Sequence, residues 1–310
     1  MRRRSGWLGF VAGGFGLAAS AACGGFSSAG PAAAPPKVTA SPAFWTAWGD
    51  GKAELSGYAI TTSRYGAPRE GRAVLIYVTE PMDRRNWIKD DAGDVPPQER
   101  VNVLKLNHVL KFQTGIYPYS VMTSVFAPVD GLQAQRFAPA KIAMSAQEWC
   151  GHVYQKVIAG PDAFEAELRS YFHAEGDRDA TVKVPPGTLY EDALLIQLRE
   201  LDGPFAGGTS WAGSIVPSLW AQRKRHAALE PLPATIKRED ATRDGVAVTR
   251  FTLAYGSVVT TYDVEKAAPR RVLSWKTKDG DEARLLETAR LPYWQLNGPG
   301  DETHLKELGL

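Results

Sequence analysis

The octapeptide SAQEWCGH, residues 145–152, puts an acid, a thiol and an imidazole within five positions. In a β-strand, Glu148, Cys150 and His152 fall at i, i+2 and i+4 and share one face. A cysteine nucleophile needs its pKa lowered by a neighbouring imidazole or other positive charge, and a third group to orient the base. The stretch contains all three types. Residues two apart on a strand stand about 6 to 7 Å apart, beyond direct hydrogen-bond reach, so a second strand has to supply the true partner of the thiol. His108 is the candidate for that role, because it interrupts the apolar face of VLKLNHVLKF and must be paired in the core or line a cavity. The competing structural reading makes His108 and His152 satisfied core or rim histidines and Cys150 a small buried hydrophobe, since free cysteine is among the most buried residue types.

Other chemistries have less to stand on. Cys150, His152 and either His108 or Glu148 are types that suit zinc, but no second C-x-x-C or H-x-x-x-H element accompanies them. Asp90, Asp91 and Asp94, or Asp279, Asp281 and Glu282, lack the full spaced loop of a calcium site and read as turn residues. No G-x-S-x-G elbow is present, and Ser145 and Ser210 have no meaningful His and Asp spacing. No metal and no cofactor is therefore expected. The aromatic stretches AFWTAW, GIYPYS and LPYW are read as sheet-packing anchors, with a binding surface as the alternative.

The N-terminus bears on where this chemistry would operate. Arg2, Arg3 and Arg4 precede an apolar run from Trp7 to Ala19 and then small residues, the layout of a secretory signal peptide. Ser20-Ala21-Ala22-Cys23 resembles a lipobox, in which an acylated cysteine, commonly palmitoylated, becomes the mature N-terminus; Ser20 stands where Leu is usual. The expected organisation is a signal peptide over 1–22, a lipid-anchored flexible tether over 23–40 and one β-rich domain over 41–310, divisible into two strand-rich halves near 203–215. The protein is then exported to the periplasm or outer membrane, or secreted if Cys23 is not acylated. Acylation of Cys23 leaves Cys150 as a lone thiol, which excludes a disulfide framework. Without residues 1–22 the chain carries 33 Lys and Arg against 34 Asp and Glu, a net charge of −1. With no basic block in its body, it has no electrostatic footprint for nucleic acid.

The body reads as strands. GRAVLIYVTE is apolar on both faces, as in a central strand covered on both sides. VNVLKLNHVLKFQTG alternates, with Leu104, Leu106, His108, Leu110 and Phe112 on one face. RNWIKDDAGDVPPQER is a polar loop long enough for a flap, and Asp279-Gly280 is a strong hairpin turn. TLYEDALLIQLREL predicts one amphipathic helix near 189–201, with Glu191 and Asp192 in its first turn and Gly203-Pro204 as its stop. The predicted fold is mainly β: a large curved antiparallel sheet or half-barrel meander with one covering helix.

Several stretches in this order, FWTAWGDGKAELSGY, GRAVLIYVTE, FQTGIYPYSVMTSVF, SAQEWCGH, SYFHAEGD and LPYWQLN, resemble a family of exported bacterial proteins of unknown function, often labelled "septum formation inhibitor Maf". The Maf enzymes proper are cytosolic nucleotide pyrophosphatases of α/β fold. This chain has an export signal, a β pattern and no phosphate-binding loop before a helix, so the label does not fit it. The resemblance implies export and transfers no catalytic residue. Two functions follow as expectations. The first is a noncatalytic, membrane-tethered envelope lipoprotein that binds an apolar ligand or a partner protein. The alternative is an exported thiol- or metal-dependent hydrolase using Cys150, His152 and Glu148, with His108 across the sheet.

Overall fold

The computed structural model describes residues 40–130, 137–200 and 208–310. The signal peptide, Cys23 and the tether up to residue 39 lie outside the described residues, as do 201–207 within the proposed division between halves.

The chain opens with helix α1 (Pro42–Trp48), then β1 (Ala53–Arg64), β2 (Ala67–Asp83), the short β3 (Ile88–Lys89), β4 (Arg100–Thr114) and β5 (Tyr117–Pro128). There follow β6 (Lys141–Glu148), β7 (Gly151–Ala159), β8 (Ala163–Ser170), β9 (Arg178–Lys183) and β10 (Leu189–Tyr190). A 3-10 turn over Glu191–Ala193 leads into α2 (Leu194–Glu200). The rest is β11 (Ser210–Val216), α3 (Leu219–Arg225), β12 (Leu232–Arg243), β13 (Val246–Tyr255), β14 (Val258–Glu265), β15 (Val272–Thr277) and β16 (Glu282–Leu291), with a 3-10 segment over Asp301–Leu308.

All sixteen strands belong to one sheet, ordered β10-β11-β12-β13-β14-β15-β16-β1-β2-β4-β5-β6-β7-β8-β9, with β3 added beside β2. Its neighbours are antiparallel, as the alternating patterns predict, except for the parallel pair β10–β11. The sheet is strongly curved. β4 and β15 are four steps apart in the strand order, about 19 Å on a flat sheet, yet the rings of His108 and Trp275 meet at 5.3 Å across the interior. Phe164 of β8 and Tyr190 of β10, near opposite edges, approach to 6.2 Å. The alternating face of β4 behaves as read: Leu104, Leu106, Leu110 and Phe112 are buried in the main core.

The predicted helix over 189–201 forms only in part, and it does not lie on the sheet as an amphipathic cover. Leu189 and Tyr190 pair with Ile215 and Val216 as a strand. From Leu194 through Arg199 every residue is buried, so α2 is a plug inside the curved sheet. A helix buried all round needs no polar face, and its three polar members have partners: Gln197 Nε2 donates to the Phe137 carbonyl at 3.2 Å, and Arg199 pairs with Glu54 and with Glu200.

Two further helices went unpredicted, though each has a sequence signal. Ser41 caps α1 by accepting from Phe44 N–H, with Pro42 at the first helical position, and Ser218 caps α3 by accepting from Ala221 N–H. The AFWTAW aromatics belong to α1, where Phe44 and Trp48 pack into the core as the anchor reading expects.

β2 is covered on both faces, as its sequence predicts. Leu75 and Tyr77 face the interior, while Val74, Ile76 and Val78 pack outside against Leu308, Leu310 and Tyr293 of the C-terminal segment. That segment lies so close to β1 that a Cβ at Gly57 would stand 2.1 Å from the Leu308 carbonyl oxygen. Only glycine permits this approach.

Candidate functional site

SAQEWCGH is not a continuous strand. β6 ends at Glu148 and β7 starts at Gly151, so Trp149 and Cys150 form the turn of a hairpin. Glu148 and His152 sit on different strands, with Glu148 opposite Gly151 and His152 opposite Gln147. The predicted common face of Glu148, Cys150 and His152 does not exist, because the turn breaks the two-residue period that would create it.

Cys150 is exposed, against the buried-hydrophobe reading. Its neighbours oppose a thiolate: hydrogen bonding to the Glu148 side chain and the charge of that carboxylate, with partial desolvation, push the thiol pKa up. Glu148 Oε2 also accepts the Cys150 backbone N–H at 2.6 Å, which fixes the carboxylate beside the thiol. Nucleophilic cysteines need the reverse environment. His108 cannot be the missing partner. Its ladder runs through Thr123 to Met144, and Met144 is six residues from Cys150, roughly 20 Å along the strand.

His108 instead lines a cavity of about 120 Å³ between the sheet and the interior helices. β4 brings His108, Leu106 and Leu110 to its wall, and β1 brings Ile60. β14 and β15 supply Thr260, Tyr262 and Trp275, the 3-10 turn supplies Glu191 and Asp192, and α3 closes it with Trp220, Ala221 and Lys224. Each strand contributes because alternation points every second side chain inward.

The wall is unusual in its polar groups. His108 Nε2, Thr260 Oγ1 and Trp220 Nε1 are buried and find no hydrogen-bond partner among the described residues. Unpaired buried polar atoms are rare and costly, and three gather here around one space. Burial pushes His108 down to about 4, so it is a neutral imidazole near pH 7. Burial pushes Asp192 up to about 7, and it raises Glu191 as well. All three still keep some accessible surface, as lining a cavity that admits a small molecule requires.

The two carboxyls have a second task. Glu191 Oε2 accepts from Ser218 N–H at 2.9 Å and from the Tyr255 hydroxyl at 2.7 Å, and Asp192 Oδ2 accepts from Leu219 N–H at 2.9 Å. They thereby hold the N-terminal end of α3. Its other end is held by Arg223 on Glu175, Lys224 on Asp281 and Arg225 on Asp279. Asp281 also accepts Ser63 N–H at 2.8 Å, so α3 is fastened to the β1 end as well. Of the acids considered for calcium, Asp279 and Asp281 are engaged by cations as above, Glu282 by Lys276 and Asp90 by Arg100.

The sequence identified His108 as a residue that needs a partner or a cavity. It also marked Glu191 and Asp192, but as first-turn acids of their own helix. Their contact with Ser218 and Leu219, 27 residues on, has no signature in local spacing.

The arrangement has the features of a small binding pocket: apolar walls, a few convergent polar groups and perturbed titrating side chains. No protein-family model and no curated protein matches the chain. Among solved structures, the chain is similar to the crystal structure of a β-barrel-like protein of the domain of unknown function DUF1849 from Brucella abortus. The identity is 10% and the TM-score 0.46, over 77% of this chain and 98% of that one.

Proposed function

We propose that this is an exported envelope protein, tethered to a membrane through an acyl group on Cys23 and located in the periplasm or outer membrane, that binds a small ligand without catalysis. Three features of the sequence support export and tethering: the Arg2–Arg4 start, the apolar run to Ala19, and the small residues leading to Cys23 and its Gly/Ser/Ala/Pro-rich tether. The resemblance to exported bacterial proteins points the same way.

The observation that carries the binding reading is the cavity wall with its three unpartnered polar atoms, closed by a helix held on polar contacts. A dry engineered cavity of about 150 Å³ accepts benzene, so about 120 Å³ suits a ligand of similar size. Leu106, Leu110, Ile60 and Trp275 favour an apolar body, and His108 Nε2, Thr260 Oγ1 and Trp220 Nε1 favour at least one hydrogen-bonding group on it. The cavity lining offers no cysteine, and its serine, Ser218, caps α3. This is why binding is preferred to the thiol hydrolase. A long acyl chain would not fit unless α2 or α3 left its place.

Native mass spectrometry of the protein purified from its own envelope tests both parts. The expected result is an acyl mass on Cys23 and a small co-purifying molecule that is lost in Ala221→Phe, which fills the cavity from α3. Recovery of the unmodified Cys23 chain would overturn the tether. Retention of the small molecule by a folded Ala221→Phe variant would overturn the cavity as its site.

A further inference from the structure

The order of the sheet places the turns of four hairpins at one end of it. β1, β4, β6 and β8 run in the same direction because every neighbouring pair from β1 to β8 is antiparallel. Their turns lie at Tyr65–Gly66, Gly115–Ile116, Trp149–Cys150 and Tyr171–Gly176. Each hairpin ends within a few residues of the ladder it shares with the next, at Gly71–Phe112, Ser120–Gln147 and Val153–Ser170, so the turns form one rim.

Each of these turns exposes a large apolar or aromatic side chain: Tyr65 is 59% exposed, Ile116 81%, Trp149 69% and Tyr171 71%. The rings are linked below the tips. The Tyr65 and Tyr119 hydroxyls are 2.7 Å apart, Tyr119 and Tyr117 rings meet at 6.1 Å, and Tyr117 and Trp149 at 6.4 Å. Tyr171 lies against Gly151, where a Cβ would stand 2.6 Å from its ring. Scattered exposed apolar residues need no explanation. Four on successive turns of one rim do.

We infer that this rim docks on the surface of a phospholipid bilayer, with Ile116 and Trp149 entering the interface and Tyr65 and Tyr171 at headgroup depth. Tryptophan and tyrosine favour that layer because their rings are apolar with one hydrogen-bonding end. Charge complements the headgroups. Lys111, exposed beside the second turn, forms no ion pair among the described residues and is available to lipid phosphate. Of the acids near the rim, Glu148 holds Cys150 N–H and Glu175 pairs with Arg223, while Glu70 is exposed beside the first turn. Side chains projecting singly from separate turns need a fluid, uniform surface rather than a complementary pocket. This contact is independent of an acyl group on Cys23 and of the cavity ligand.

The exposed thiol in the rim provides the test. In the full chain carrying Cys23→Ser, Cys150 is the sole cysteine, and a polarity-sensitive fluorophore placed on it reports the depth of the turn. With vesicles of phosphatidylethanolamine and phosphatidylglycerol, the expected result is a blue shift of the label and quenching by lipid-borne quenchers. The Ile116→Ser/Trp149→Ser variant should lower vesicle partitioning by about tenfold or more, and Lys111→Gln should reduce its salt dependence. Circular dichroism checks that each variant remains folded, the expected result at exposed positions. A label that stays in water at saturating lipid, or partitioning unchanged by Ile116→Ser/Trp149→Ser, would overturn the inference. So would a photo-crosslinker on Cys150 that captures an envelope protein while vesicles are not bound.

Discussion

Arg199 Nη1 donates to Glu54 Oε1 at 2.6 Å, joining the last turn of α2 to the start of β1 across 145 residues, with both side chains essentially sealed from solvent. The guanidinium also donates to the Pro269 carbonyl at 2.8 Å and lies over the Tyr77 ring at 4.5 Å. One end of the interior plug is thus fastened by a buried ion pair, while the other is fastened to α3 by Glu191 and Asp192.

Breaking this pair should be costly and non-additive. Arg199→Met leaves Glu54 buried without its cation, and Glu54→Gln leaves Arg199 without its anion, so each single change should lower stability by about 3–5 kcal/mol. The double variant Glu54→Leu/Arg199→Met should lose less than the sum of the single changes. Urea unfolding of the four proteins decides it; strictly additive losses would mean that the ion pair is not coupled.

The cavity should give the protein two opposing pH dependences. The folded state holds Asp192 at about 7 against an ordinary 3.8, so it keeps a proton that the unfolded chain releases. The contribution of Asp192 therefore falls as pH rises from about 4 to 7. The folded state holds His108 at about 4 against 6.5, so the unfolded chain takes up a proton that the folded one refuses. Its contribution falls as pH drops through that window. The upper bounds are about 4.5 kcal/mol for Asp192 and about 3.5 kcal/mol for His108. Asp192→Asn should flatten the loss toward pH 7, and His108→Gln should flatten the loss toward pH 4, in unfolding midpoints measured across that range.

Gly57 should tolerate no side chain. Alanine there meets the Leu308 carbonyl at 2.1 Å, so Gly57→Ala should push the C-terminal 3-10 segment off β1 and β2. The expected cost is about 1–3 kcal/mol, with faster proteolysis after Leu291 than in the parent protein. An unchanged digestion pattern would show that the segment can move aside freely.

Cys150 should be a slow thiol despite its exposure. Hydrogen bonding to Glu148 raises its pKa, so its reaction with a disulfide reagent near pH 7 should lag behind that of a free cysteine and accelerate several-fold in Glu148→Gln. Acceleration in the wild type below pH 7 would contradict this reading.

Much of the sheet was legible residue by residue. The alternation of Leu104, Leu106, His108, Leu110 and Phe112 gives β4 and its buried face, and the two-sided apolar run of Val74 to Val78 correctly marks a strand covered on both sides. The helix near 189–201 was half legible, because Leu189 and Tyr190 carry apolar side chains suited to helix or strand and their pairing with Ile215 and Val216 settled the choice. SAQEWCGH misled because a strand and the tip of a hairpin differ there only at Trp149 and Cys150, and no Asn-Gly or Asp-Gly marks the turn.

The sequence by itself determined which residues face inward along strands such as β2 and β4, because that depends on a local period of two, and it singled out His108 as a polar group needing an explanation. Only the tertiary structure decided that the explanation is a cavity. The curvature that brings Trp275 to His108, the burial that makes α2 a plug and the clamp of Glu191 and Asp192 on α3 all join residues far apart in the chain. Such contacts arise from how an open sixteen-stranded sheet curves, which no short window of residues encodes.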